Sequence, residues 1–266
     1  MDAVELEGLE KALILYGGSK SAGDNGAFKR AADLYGRHYK NNSKAFGIKN
    51  VEVSAIKNGK NIVDAINNSE EEIVRLDILT HSTYVSINTS DASMTNNGLY
   101  TLRLKNLGVD IRYDWIEYVE EKNEFSGLYG FKNAADYADI DYSKFSDDAI
   151  VELHGCFAGG RIPWGLGYIF DNMAEDISEK LYAAGKMNAV VIAHEEKSSP
   201  DKETGSYRRG NRVVYWNGRV LMRTSEGGDL TEKIKKAISD EKQKQKEIQE
   251  FIDSHSQFME DIDMTD

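Results

Sequence analysis

The chain has 266 residues, 40% of them hydrophobic and 29% charged, with one cysteine and a formal net charge of −12. That length can bury one large core or two small ones. The acidic balance argues against general affinity for nucleic acid or anionic membrane, and a lone cysteine excludes an internal disulfide and a zinc cage of several thiolates. No apolar run approaches the roughly 18 to 20 residues of a membrane span. The opening "MDAVELEGLEKALILYGG" lacks the basic, apolar, small-residue order of a secretory signal. A cytoplasmic location, or export without a classical signal, is the expectation.

Five apolar runs read as buried parallel strands. The first, "KALILYGG" (11–18), precedes a Gly/Ser/Asn loop and the helical pattern "GAFKRAADLYGRHYKNN". "NVEVSAIKNG" (50–59) follows, then a short helix around "NIVDAINNSEEE". The third run is "IVRLDILTHS" (73–82), and an insertion over 83–147 separates it from "DAIVELHGC" (148–156). Within the insertion, "YVSINTSD" and "LYTLRLKNLGVDIRYDWIEYV" look like extra strands. A helical pattern over "GLGYIFDNMAEDISEKLYAAG" leads to the fifth run, "NAVVIAHEE" (188–196). Asn217-Gly218 then sits between the β-rich arms of "NRVVYWNGRVLMRT", a strong hairpin signal.

Alternation of β and α predicts an α/β sandwich with a mostly parallel sheet of about six strands, over residues 1–229. Residues 230–266 read as a separate, charged helical tail. In such sheets chemistry gathers at the carboxyl ends of the strands. His81 and Cys156 both fall there, at the ends of the third and fourth runs.

A lone cysteine on an apolar strand is ordinarily a small buried hydrophobe. Here Gly155 precedes it and "AGG" follows closely, so other backbone can approach. A helix starting after the turn would stabilise a thiolate through its dipole. A nucleophilic thiol also needs a base, since a free thiol titrates at about 8.5. His38 lies in a charged helix-like stretch and His255 in the tail. His154 shares a strand face with Cys156 but sits about 6 to 7 Å along it. His194 ends the fifth run. His81, after apolar "LDILT", faces Cys156 if the third and fourth strands are neighbours, and is the better base.

An apolar block ending in His and a small residue, then a second ending in a small residue and Cys, resembles the caspase-like cysteine peptidases. The matching blocks are "LDILTHS" and "IVELHGC", and the resemblance extends over about residues 11–224. It implies a three-layer caspase-like sandwich and a cysteine endopeptidase, near the clostripain and bacterial toxin autoprocessing types, working as an effector or autoprocessing domain. Cys156 would attack the scissile carbonyl and His81 would serve as general acid/base. Backbone N–H groups of Ser82 and Cys156 would form the oxyanion hole. His154, two residues before the cysteine, would line the substrate pocket. No metal or cofactor is implied, and the partner is a protein or peptide substrate. Ser82 stands where most members have glycine. His154 replaces the acidic residue that several carry.

The rivals from other classes are a catalytically inactive caspase-like module that binds a protein, and an unrelated flavodoxin-like binding domain with Cys156 as core filler. Two other signals are weaker. "YGGSKSAGDNG" (16–26) lacks the Gly-Lys-Ser/Thr ending of a phosphate loop. The Arg-rich hairpin 207–223, with Arg208, Arg209, Arg212, Arg219 and Arg223, would suit a polyanion activator, although arginines on a hairpin more often pair with nearby carboxylates. His81, His154, Cys156 and His194 match no zinc spacing.

Overall fold

A computed structural model describes residues 10–17, 26–82, 86–88, 98–100, 135–160, 172–207 and 211–263. Strands β1 (Glu10–Tyr16), β2 (Asn50–Ala55), β3 (Glu72–Leu79), β8 (Phe145–Leu153), β9 (Val190–His194), β10 (Arg212–Trp216) and β11 (Arg219–Thr224) form one sheet of seven strands. Their order is β11-β10-β9-β8-β3-β1-β2. Neighbours are parallel from β2 through β9, and antiparallel at β9–β10 and β10–β11. The sheet has seven strands, not about six, because both arms of the Asn217-Gly218 hairpin join it. Both turn residues have positive φ, 50° and 65°, as a two-residue hairpin turn requires.

Helices cover both faces, which makes three layers. Helix α1 (Ala27–Asn41) buries Ala27, Phe28, Ala31, Ala32, Gly36 and Tyr39, one stripe at helical spacing. It packs with Ala12, Ile14, Val74 and Leu79 of the sheet. A Cβ at Gly36 would come within 2.9 Å of Val53, so glycine lets α1 lie close to β2. A short α2 (Ser43–Phe46) follows. The opposite face is covered by α3 (Gly59–Asn67) and α4 (Met173–Ala183), whose apolar residues join Leu13, Leu76, Val151, Val191 and Val213 in the larger core. Side-chain oxygens of Asn58 and Asn172 cap these two helices.

The third run does not continue to residue 82. Strand β3 ends at Leu79, and His81–Ser82 leaves as β4. It joins a small second sheet, ordered β4-β5-β6-β7, with β5 (Ser86–Asn88), β6 (Leu99–Tyr100) and β7 (Ala135–Asp136). Most of the remaining insertion expected at 83–147 lies outside the described residues, as do the start of the helical pattern at 165–171 and most of the 16–26 loop.

The chain divides into two compact units, Met1–Glu226 and Gly227–Asp266. The second carries α5 (Thr231–Asp263), a charged helix with Ile248, Phe251 and Ile252 exposed. No helix among the described residues is long and apolar enough to cross a membrane.

Candidate functional site

Strands β3 and β8 are parallel neighbours, with Ile78 opposite Leu153. Their carboxyl ends therefore open on one edge of the sheet. His154 N–H donates to the Ile78 carbonyl at 3.0 Å, just past the last ladder pair. Beyond it, Ser82 Oγ donates to the Cys156 carbonyl at 2.6 Å. Gly155 is packed against the same segment: a Cβ there would overlap Ser82 and stand 2.9 Å from the Thr80 carbonyl. Only glycine admits this approach. The His81-Ser82 and Gly155-Cys156 backbones are thus held against each other.

Cys156 lies in a turn beyond the end of β8, not on the strand itself. Phe157 after it adopts φ 59°, which is costly for a residue with a Cβ. Three bonds hold this conformation: Phe157 N–H to the Glu196 carbonyl at 3.1 Å, Gly159 N–H to the His194 carbonyl at 3.0 Å, and Gly160 N–H to the Phe157 carbonyl at 3.0 Å. Tyr215 OH adds a bond to the Gly159 carbonyl at 3.0 Å. The start of the helix expected directly behind the thiol lies outside the described residues. The first turn of α4, from Met173, meets the loop, with Ala174 N–H on the Ala158 carbonyl at 3.3 Å.

The Cys156 side chain is half-buried. Its Sγ accepts from Ser198 N–H at 3.3 Å and donates to the Ser198 carbonyl at 3.1 Å. His81 is exposed and meets Phe28 edge-on, ring centroids 4.9 Å apart. The thiol's hydrogen-bond partner is Ser198, not His81.

His154 is not open to solvent. Its side chain is fully buried on the α1 face of the sheet, with Nε2 2.7 Å from Asp77 Oδ1. Asp77 uses its second oxygen to accept from Tyr39 OH at 2.8 Å. Glu152, two residues before His154 and so on the same face, takes Arg212 at 3.0 Å and lies 3.9 Å from His154 Nδ1. The rings of Tyr35, Tyr207 and His194 surround that imidazole. An enclosed ring held by Asp77 cannot serve as an open pocket wall in this conformation.

The electrostatics of the network follow from its burial. Burial opposes a charge on His154, but Glu152 and the bonded Asp77 outweigh it and raise its pKa. Burial, with repulsion from His154, depresses His194 to about 4. Burial likewise raises Tyr35, Tyr39 and Tyr207, with the nearby carboxylates adding to the effect, so these phenols stay neutral.

Of the hairpin arginines, Arg212 is engaged by Glu152 and by the Glu226 carbonyl, and Arg223 by Glu195 at 2.9 Å. Arg208 and Arg209 lie outside the described residues. Sequence reasoning missed Asp77, Glu152 and Tyr39. Strand alternation is a signal that could have found Glu152 beside His154; nothing in the pattern names Asp77 as their partner across the strands. Comparison with protein-family models, with curated proteins and with solved structures finds no match to this chain.

Proposed function

We propose that the chain is a cysteine endopeptidase of the caspase-like type, with Cys156 as nucleophile and His81 as general acid/base. The observation that carries this reading is the Ser82–Cys156 bond, which locks the residues next to His81 against the turn that bears the thiol. Three further features support it. The thiol is partly open to solvent, His81 is exposed at the same strand ends, and the strained Phe157 follows the cysteine. Strain that the surroundings hold in place is common beside reactive groups.

In the reaction, Sγ gives its proton to His81 and attacks the scissile carbonyl carbon. The resulting oxyanion is received by the backbone N–H groups of Ser82 and Cys156. His81 then protonates the departing amine, leaving an acyl-enzyme thioester. Water, deprotonated by His81, hydrolyses the thioester and restores the thiol. Before attack, Sγ must leave the Ser198 backbone, so the described conformation is a resting one. The resemblance supplies the reaction class; substrate chemistry is read from cleavage.

The test is cleavage of a mixed-peptide library by the purified chain. Cleavage that disappears in folded Cys156→Ala and falls at least a hundredfold in folded His81→Ala is the expected result, since acid/base groups contribute about 10² to 10⁴. A folded protein that cleaves nothing, or cleaves equally without Cys156, sinks the proposal in favour of a binding module.

A further inference from the structure

We propose that Glu152, His154 and His194 form a buried divalent transition-metal site that braces the sheet beneath the Cys156 turn. Each residue offers one ligand atom, and the three atoms all lie within 4.8 Å of one another. They come from two adjacent parallel strands, Glu152 and His154 from β8 and its end, and His194 from the last position of β9. Glu152 pairs with Ile192 in the ladder, so alternation brings His154 and His194 onto the same face one step further on.

The second observation is that both imidazoles hold a ring nitrogen in reserve. His154 and His194 are 0% and 4% exposed, and Nδ1 of each has no hydrogen-bond partner among the described residues. Buried polar atoms are normally satisfied, and two orphaned imidazole nitrogens on residues of one cluster call for a specific explanation. On His154 the tautomer is fixed from behind. Asp77 can only accept, so Nε2 carries a proton, and Nδ1, 3.9 Å from Glu152 Oε1, becomes the ligand once metal displaces any proton it holds. Tyr39 OH orients Asp77 in turn. A carboxylate behind a ligating histidine is the usual outer shell of such sites.

Two imidazoles and a carboxylate favour zinc, cobalt or nickel over calcium or magnesium. The His154 Nδ1 to Glu152 Oε1 separation is 3.9 Å. Bonds of about 2.0 to 2.1 Å in a tetrahedral arrangement set ligands about 3.4 Å apart, so this pair needs to close by about half an ångström and no pair by more than about 1.4 Å. Arg212 holds that same Glu152 oxygen at 3.0 Å, so metal and guanidinium would share the carboxylate. Cys156 is not among the three ligands, which separates this site from the nucleophile. Its effect on the turn is indirect: the His194 carbonyl accepts Gly159 N–H, so fixing His194 steadies the loop after Cys156. The inference goes beyond the peptidase reading and does not depend on it.

The experiment is Zn²⁺ and Co²⁺ titration of the full chain after chelator treatment, read by calorimetry, by visible absorption of Co²⁺ and by melting temperature. One equivalent bound at micromolar affinity or tighter, with a higher melting temperature, is expected. Folded Asp77→Asn should weaken binding about 10- to 100-fold through the lost outer shell. Folded His194→Gln should weaken it more, and Cys156→Ser should bind like the parent. Should His194→Gln not fold, Glu152→Gln replaces it, and the parent's Co²⁺ spectrum alone decides whether nitrogen ligands are present. No binding by the folded parent at about 100 μM metal, or equal binding by folded His194→Gln, overturns the proposal, the latter assigning the metal to surface histidines.

Discussion

Ser82 Oγ and the carbonyl oxygen of Cys156 meet at 2.6 Å, across the gap between the ends of two neighbouring parallel strands. This bond joins the histidine-bearing segment to the cysteine-bearing turn. Replacing Ser82 by Ala removes the donor, and with Ser82 buried the loss should cost about 1 to 2 kcal/mol in urea unfolding. Hydrogen exchange at 155–157 should quicken in the same variant. Unchanged stability and exchange would mean that the bond does not hold the turn.

Gly155 tests the same contact from the other side. A methyl group there overlaps Ser82 and crowds the Thr80 carbonyl, so Gly155→Ala should destabilise by about 1 to 3 kcal/mol. Pairing it with Ser82→Gly removes the first overlap and leaves the second. The double variant should therefore cost less than the sum of the singles, a coupling that a denaturation cycle reads directly.

Asp77 satisfies two partners at once, Tyr39 and His154, in a wholly buried position. Asp77→Ala strands both and should cost about 3 to 5 kcal/mol. Tyr39→Phe removes one bond and keeps the ring against Phe46, so its cost should be about 1 kcal/mol. A similar loss for both in chemical denaturation would show that Asp77 is not the hub.

The loop after Cys156 is also held from behind. Asn172 caps α4 by accepting Glu175 N–H and donates to Tyr215 OH at 2.8 Å, and that hydroxyl reaches Gly159. Asn172→Ala should cost about 1 to 2 kcal/mol through the lost cap and the weakened relay. Tyr215→Phe should leave the cap intact yet still raise exchange at Gly159–Gly160. Exchange that responds to neither variant would sever the relay from the loop.

The layers were legible because apolar runs of strand length alternate with helical patterns, and Asn217-Gly218 can hardly be anything but a tight hairpin. Strand ends were less so. "IVRLDILTHS" reads as one strand, but Thr80 is where the chain leaves the main sheet, tied by Gly17 N–H on Leu79 and by its own hydroxyl on the His81 carbonyl. At Cys156 the glycines announce a close approach, but not that Ser82 is the residue that makes it. Asp77 and Glu152 look like isolated polar interruptions of apolar strands, and His154 reads as a pocket residue. Their meaning lies in partners 75 to 77 positions away in sequence, and no local pattern records a pairing across parallel strands.

The central claim is that His81 activates Cys156, and the rate of iodoacetamide labelling tests it most directly. At pH 6.5 a free thiol is only about 1% thiolate. The account predicts that native Cys156 labels at least tenfold faster than a small free thiol at that pH, and that folded His81→Ala loses the advantage. Slow labelling that ignores His81, in a protein whose Ser198→Pro or mildly loosened forms also label slowly, would contradict it and leave Cys156 as a structural thiol held by Ser198.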